Sequence, residues 1–589
     1  MNIIGIHVGH NATVALIKDN VLTCAISEEK FTNIKNTGGF PERSLTYMFN
    51  SYNLSPSDID YVVFSSSYYR PGGAKFTNIL PASLNDIRRI DLVRDVLSLG
   101  IRYAPGVHHI HRAIRNILGS LSCGIDQGAF KKMMKTKFGF KESQILFNLH
   151  HLSHAFAPVG FFNLHKSHEP ILIITQDGSG DFLSGTVGVY ENGKYTMLNK
   201  IDASDSVARL YESITLYLGM KPGEHEYKIM GLAPYASPKY ALPLYEKQFK
   251  DLVNVSDGNI SLKYKLFLPY AFCKYVFQER LHEERFDNIA FCIQKLIEDT
   301  TIKFVLDNIK RYKIKKVAFG GGLFMNVKLN KKIQELSEVE KCYFMPSAGD
   351  ESVAIGAAFW ALENKGEFGK SDEVVYLGKE YSDAEIERYL SERNLDKKYE
   401  IEHVKDAEKE VVELVNEGKI VGRFCGRGEW GARSLGNRAI LADPSKLESI
   451  ELINNTIKCR DFWMPFACSV LDSHFEEYAH PSHKSMPFYM ITTFDTTEKG
   501  KNNLKAAIHR KDYTMRPNVV IAKHNQRYWK LLNHYKELSG IGGILNTSLN
   551  VHGYPLVGFI DELFFTLDNS DLKYAQCGNF MIRKKEVKK

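Results

Sequence analysis

The sequence contains no run approaching the roughly 18 consecutive apolar residues that a membrane span needs. Its first residues pass straight into a strand-like pattern, with no basic region followed by an apolar core, so a secretory leader is not expected. Nine cysteines are scattered without a C-x-x-C pair, which excludes a zinc ribbon and a disulfide framework. Reduced thiols and a cytoplasmic location are the expectation. Repeats and low-complexity tracts are absent. A net charge of +7 over 589 residues is small; it suits phosphate-bearing substrates and does not call for nucleic acid.

What is present is the composition of a globular chain, 44% hydrophobic and 25% charged, long enough for about two to four domains. Residues 1–8 and 11–18 read as a hairpin turning at Gly9-His10. Residues 171–175 and 316–319 read as strands running into glycine turns at Asp177-Gly178-Ser179-Gly180-Asp181 and Gly320-Gly321-Gly322. Residues 289–309 have helical spacing. Strand, glycine turn and helix in recurrence predict an α/β architecture with ligands at strand ends. A polar, glycine-containing stretch at 363–372 places a domain boundary near residue 366, to within about ten residues. Helical segments at 383–393 and 407–417 then lead into a second α/β region at Ile420.

The opening Gly5-Ile6-His7-Val8-Gly9 resembles the first phosphate turn of actin-like ATPases and sugar kinases, with His7 where those enzymes use an Asp. That disfavours γ-phosphoryl transfer. His10 follows on the turn, where a neutral-range imidazole suits general-base work; spacing alone leaves open a histidine that only bonds backbone. His150 and His154, four apart, share one face of a helix and can grip one metal, while His151 points elsewhere. Such a pair is as often structural as ligating. Asp177 and Asp350, turn residues at strand ends, would complete an N2O2 set suited to iron, zinc or manganese. Gly321, Gly322 and Asn326 mark a strand end where backbone can approach a nucleotide, as does the run around Lys228. The cluster His108-His109-Ile110-His111-Arg112 lies in a basic helical insert over 70–141 and reads as surface or acceptor contact.

In the second region, residues 426–438 pack three arginines among four glycines. With Arg433, Arg438, Lys458, Arg460, Arg516, Asn546 and Ser548, this predicts a polyanion pocket, since arginine forks match phosphate oxygens. Surface ion pairs are the alternative; the glycine spacing favours the pocket.

Several stretches together resemble the NodU/CmcH carbamoyltransferase family. They are His10-Asn11-Ala12, Glu28 to Lys35, His150-x-x-x-His154, Lys228 to Tyr235, Gly321-Gly322, Gly349-Asp350-Glu351, Gly431 to Arg438 with Asp443-Pro444, and Asn546-Thr547-Ser548. The resemblance implies an α/β protein with an actin-like, sugar-kinase-type domain over 1–365, similar to threonylcarbamoyl-transfer enzymes, and a YrdC-like α/β domain over 366–589. It implies ATP with Mg2+, carbamoyl phosphate, Fe2+ or another divalent ion, and a small hydroxylated acceptor as partners. A homodimer is compatible with it, and neither a membrane nor a nucleic acid is implied. His10 would be the base and Lys35 a carbamoyl or phosphate contact. His150, His154, Asp177 and Asp350 would hold the metal. Gly322 would touch nucleotide, and Arg433, Arg516 and Ser548 would line an adenylation pocket. Asn11, Met464, Cys468 and Tyr554 depart from the family's commonest residues without removing a proposed catalytic group. Two other readings are a threonylcarbamoyl-type tRNA-modifying enzyme and a non-catalytic actin-like nucleotide switch.

Overall fold

The computed structural model describes residues 1–67, 127–265 and 269–585; the His108–Arg112 cluster and most of the 70–141 insert lie outside these. The chain forms two compact units, one of residues 1–24 and 37–373, the other of 25–36 and 374–589.

The first unit begins with β1 (Ile3–His7) paired antiparallel to β2 (Thr13–Lys18), the hairpin expected from sequence, with His7 opposite Thr13. β3 (Val21–Ser27) follows, then β4 (Tyr61–Phe64) and β5 (Ile145–Phe147), giving a five-stranded sheet in the order β3-β2-β1-β4-β5. After α1 (His150–Phe161) the pattern recurs. Strands β6 (Ile171–Gly180), β7 (Leu183–Glu191) and β8 (Lys194–Asp202) form an antiparallel meander. β9 (Lys316–Gly320) and β10 (Lys341–Phe344) then add in parallel beside β6, giving the order β10-β9-β6-β7-β8. Both sheets thus carry one topology: three antiparallel strands, then two parallel strands on the other side of the first. This duplicated order is the actin-like, kinase-type architecture. No sequence repeat announces it, because burial patterns constrain residue class and not identity.

The strand at 171–175 runs on to Gly180: the glycine turn read from sequence is the irregular end of β6, where the register to β7 slips between Gln176 and Gly180. Helix α2 (Val207–Tyr217), α3 (Glu226–Leu232) and the long α4 (Phe286–Tyr312) follow the meander, and α5 (Val327–Gln334) leads from β9 towards β10. The last helix of the unit, α6 (Val353–Asn364), packs on α1 so closely that a Cβ on Gly356 would stand 1.8 Å from the Ser153 carbonyl oxygen. Only glycine permits that approach. It sets the α1 helix, and with it His150 and His154, against the segment that carries Asp350.

The second unit is built on an eight-stranded mixed sheet. Its central strands β11 (Val421–Phe424), β12 (Arg438–Ala442), β13 (Ala467–Leu471) and β14 (Gly543–Ser548) are buried on both faces. Alternation divides their side chains. Val421, Ala439, Leu441 and Ile544 pack against helices Ala407–Asn416 and Gln526–Ser539. Phe424, Ile440, Cys468 and Leu545 pack against Ile560–Asp568. Residues 25–36 belong to this unit: the Lys30 ammonium donates to the Leu556 carbonyl at 2.9 Å, and Phe31 meets Phe559 with ring centroids 4.8 Å apart. No helix among the described residues is long and apolar enough to cross a membrane.

Candidate functional site

In the first unit the turn after β1, the start of α1, the end of β6 and the turn before α6 converge. His150 and His154, one helical turn apart, have ring centroids separated by 4.6 Å. Their Nε2 atoms each lie 3.4 Å from Asp350 Oδ1, and His150 Nε2 lies 3.8 Å from Asp177 Oδ2. One ligand atom from each of these four residues falls within 4.8 Å of all the others. His151 faces away, its Nδ1 2.9 Å from Thr175 Oγ1 and its Nε2 3.1 Å from the Leu183 carbonyl. Burial, with the neighbouring His150 and His154, pushes the His151 pKa down to about 3.

The four residues fit a metal ion on their own evidence. His150 Nε2, His154 Nε2 and Asp350 Oδ1 are buried without a hydrogen-bond partner, yet they point at one another. Leaving such an atom unpaired costs about 1–3 kcal/mol, and one cation satisfies all three. Burial would lower His150, but Asp350 and Asp177 outweigh it and hold the imidazole well above its ordinary value. Burial would also raise Asp350, and His10 and His150 pull it well below the carboxylate range instead. The pocket is therefore tuned for positive charge against carboxylate.

Asp181 escaped the sequence reading. Its carboxylate accepts the His150 backbone N–H at 2.7 Å, the Ser66 hydroxyl at 2.5 Å and the Ser67 N–H at 3.2 Å. It caps α1 at the turn that presents the first histidine and complements the helix dipole. An acid closing a glycine-rich turn is the only signal the sequence holds for it. Asp177 is held by the Gly322 N–H, which donates to Oδ1 at 2.9 Å. The Gly322 amide, expected on nucleotide, is thus engaged with a candidate ligand, beside Gly321 at φ +100. Asn326 caps α5, accepting from the Leu329 N–H at 3.1 Å and donating to Gln294 at 2.9 Å. Lys228 is half-buried on α3. His10 stands on the β1–β2 turn, its side chain 53% exposed and its Nδ1 3.4 Å from Asp350 Oδ2.

In the second unit, cations gather. Burial and the like charges of Arg433 and Arg460 hold the Arg516 guanidinium well below its ordinary value. Burial, Arg460 and Lys35 do the same to the Lys458 ammonium. Five cations from four chain segments therefore share one neighbourhood, and Arg516 forms no ion pair among the described residues. Lys458 donates to Ser548 Oγ at 3.1 Å and to Asn550 at 2.6 and 2.9 Å. Arg460 donates to the Pro465 carbonyl and to Thr547 Oγ1. Asn546 lies beneath, donating to the Ser434 carbonyl at 3.2 Å and to Ser469 Oγ at 2.9 Å, which steadies the loop bearing Arg433. Like charges assembled at this cost are what a bound polyanion would neutralise.

Arg438 corrects the sequence expectation. It is fully buried and donates to the carbonyls of Cys425, Asn437 and Lys379 at 3.0–3.1 Å, with its guanidinium 3.8 Å over the Phe424 ring. As the first residue of β12 it faces inward, so it braces the loop and does not join the cation cluster. Glu429, not singled out in sequence, folds the same loop: its Oε1 accepts the N–H groups of Leu435, Asn437 and Arg438.

Comparison with known proteins identifies relatives of this chain. Residues 2–359 match the family model "Carbamoyltransferase N-terminus" and residues 412–584 match "Carbamoyltransferase C-terminus". Nodulation protein NolNO of Sinorhizobium fredii is 27% identical over 583 residues, covering 98% of this chain and 79% of that protein. An uncharacterized protein of Methanocaldococcus jannaschii is 29% identical over 99% of both chains. Nodulation protein NolO of Bradyrhizobium diazoefficiens is 28% identical over 74% of this chain and 79% of its own length. Among solved structures, HypF of T. kodakarensis aligns with a TM-score of 0.33 and 13% identity over 62% of this chain and 48% of that one. Matched by both halves of one enzyme family, with a histidine–aspartate cluster in the first unit and a cation cluster in the second, the chain belongs to the carbamoyltransferases.

Proposed function

We propose that the chain is an ATP-dependent O-carbamoyltransferase that moves the carbamoyl group of carbamoyl phosphate, through carbamoyladenylate, to a hydroxyl of a small acceptor. The observation that carries this reading is the cluster of Arg433, Arg460, Arg516, Lys458 and Lys35, in which Arg516 forms no ion pair among the described residues. It suits the triphosphate of ATP together with carbamoyl phosphate, and it would make the second unit the adenylation unit.

Mass balance defines the steps. Water cleaves carbamoyl phosphate to carbamate and phosphate, and the carbamate oxygen displaces pyrophosphate from the α-phosphorus of ATP. The acceptor hydroxyl then attacks the carbamoyl carbon, its proton leaves, and AMP departs. Arg and Lys side chains hold and neutralise the phosphates in the first part. In the second, His10 is exposed enough to meet an acceptor and takes the hydroxyl proton, while Asp350 Oδ2 holds its ring. A divalent ion held by His150, His154, Asp177 and Asp350 would supply Lewis-acid polarisation.

The reading requires AMP and pyrophosphate as products. Chromatography of a reaction with ATP, carbamoyl phosphate and a hydroxylated acceptor should show both; stoichiometric ADP would exclude the adenylate route.

Metal content is a separate test. The purified chain should hold about one divalent ion, and the His150→Ala, His154→Ala double variant should lose it. His151→Ala should keep the ion while unfolding at lower temperature, because the Leu183 carbonyl and Thr175 lose a buried hydrogen bond, although Thr175 keeps Thr186. Elemental analysis and a thermal melt read the two effects apart, and full metal content in the double variant would remove the ligand assignment.

A further inference from the structure

His7 stands where kinase-type enzymes place an acid, and the reaction proposed above assigns it no task. It is 3% exposed at the end of β1. Its Nδ1 is 2.9 Å from Ser65 Oγ, and its Nε2 is 3.1 Å from the His10 carbonyl oxygen and 3.5 Å from Asp350 Oδ2. A carbonyl only accepts, so Nε2 carries the hydrogen and points it between the His10 backbone and the Asp350 carboxylate. Ser65 is itself fixed: it is fully buried, and its N–H donates to the Ile6 carbonyl at 2.9 Å. The turn leaves room for this arrangement, since a Cβ on Gly9 would stand 2.9 Å from His7 Nε2.

We propose that His7 is a positioning residue that sets both His10 and Asp350. One hydrogen holds the backbone of the turn that carries the base. The same hydrogen lies near Asp350 Oδ2, the oxygen opposite the one facing His150 and His154. His7 therefore couples the pose of the base to the orientation of a metal ligand, an outer-shell role of the kind that orients first ligands elsewhere. The part concerning His10 rests on its reading as the base; the part concerning Asp350 does not.

Three full-length variants test this. The amide nitrogen of His7→Gln reaches the position of Nε2, that of His7→Asn reaches only the position of Nδ1, and His7→Leu reaches neither. Zinc affinity, measured by competition with a chelating dye, needs no carbamoyl chemistry. It should fall roughly 10- to 100-fold in the Leu and Asn variants and stay within about threefold of the parent in Gln. The kcat of carbamoyl transfer should follow the same order, with the acceptor KM unchanged. A parent chain that binds zinc but transfers no carbamoyl group would defeat the proposed reaction and leave the zinc comparison to decide the role of His7. Equal zinc affinity across all variants, or a Gln variant as impaired as Leu, would overturn the inference. If Leu fails to fold, Gln against Asn decides it.

Discussion

His10→Ala should slow carbamoyl transfer by roughly 10²–10⁴-fold, the contribution of a positioned general base, while pyrophosphate release from ATP and carbamoyl phosphate persists. The reason is that the two groups belong to different units. His10 sits in the first unit on the β1–β2 turn, whereas the cation cluster belongs to the second. The side chain is half-exposed, so its removal opens no cavity and leaves no buried group unpaired except through Asp350, which keeps His150 and His154. The thermal midpoint should therefore barely move, and the rate loss cannot be ascribed to unfolding. Labelled carbamoyladenylate supplied to the variant isolates the affected step. If pyrophosphate release collapses together with transfer, the two chemistries share one site and the division between units is wrong.

Arg516 and Arg438, both in the cation-rich second unit, should respond to mutation in opposite senses. Arg516→Gln removes a guanidinium crowded by Arg433 and Arg460. The phosphate contact it would make is worth about 1.5–3 kcal/mol, so pyrophosphate release should fall roughly ten- to a hundredfold. Stability without nucleotide should rise, because like-charge repulsion falls. Arg438→Ala should do the reverse to stability. Three carbonyls lose the guanidinium, although those of Asn437 and Lys379 keep the N–H groups of Cys425 and Gly428, and a cavity opens under Phe424. Lys458 adds a pH signature. Its folded-state pKa is held well below the ordinary 10.5, so between the two values the unfolded chain binds the extra proton. Stability should rise with pH across that window. Pyrophosphate should flatten the rise by restoring the ammonium, and Lys458→Met should abolish it. Urea midpoints at several pH values, with and without pyrophosphate, measure this. A flat profile in the parent, or an Arg516→Gln chain that is less stable and fully active, would defeat the polyanion reading.

Local periodicity made much of this legible in the sequence. The i, i+4 histidines need only a helix to share a face, and residues 150–161 form one. The first hairpin, the long helix over 286–312 and the glycine turns at strand ends likewise depend on near neighbours. What stayed hidden depends on distant ones. Arg433 and Arg438 lie five residues apart in one glycine-rich loop, yet one joins the cation cluster and the other is buried in β12. Only the pairing of that strand with β11 and β14 decides which. Asp181 gains its role from a helix whose first residue, His150, stands 31 positions earlier in the chain. The repeated sheet order leaves no repeated sequence, since each half needs only apolar side chains of suitable volume.

The excursion of residues 25–36 bears on how the protein is made. The chain leaves the first unit after Cys24, contributes twelve residues to the second, and returns at Thr37. Domains generally fold in order as they leave the ribosome, but here the early segment that carries Lys35 is clustered with residues 374–589, which are synthesised much later. Lys30 in particular waits for Leu556, 526 positions further along the chain, and Phe31 for Phe559. The cation cluster, which joins Lys35 to Arg433, Lys458, Arg460 and Arg516, is therefore incomplete until the chain has been made past residue 516.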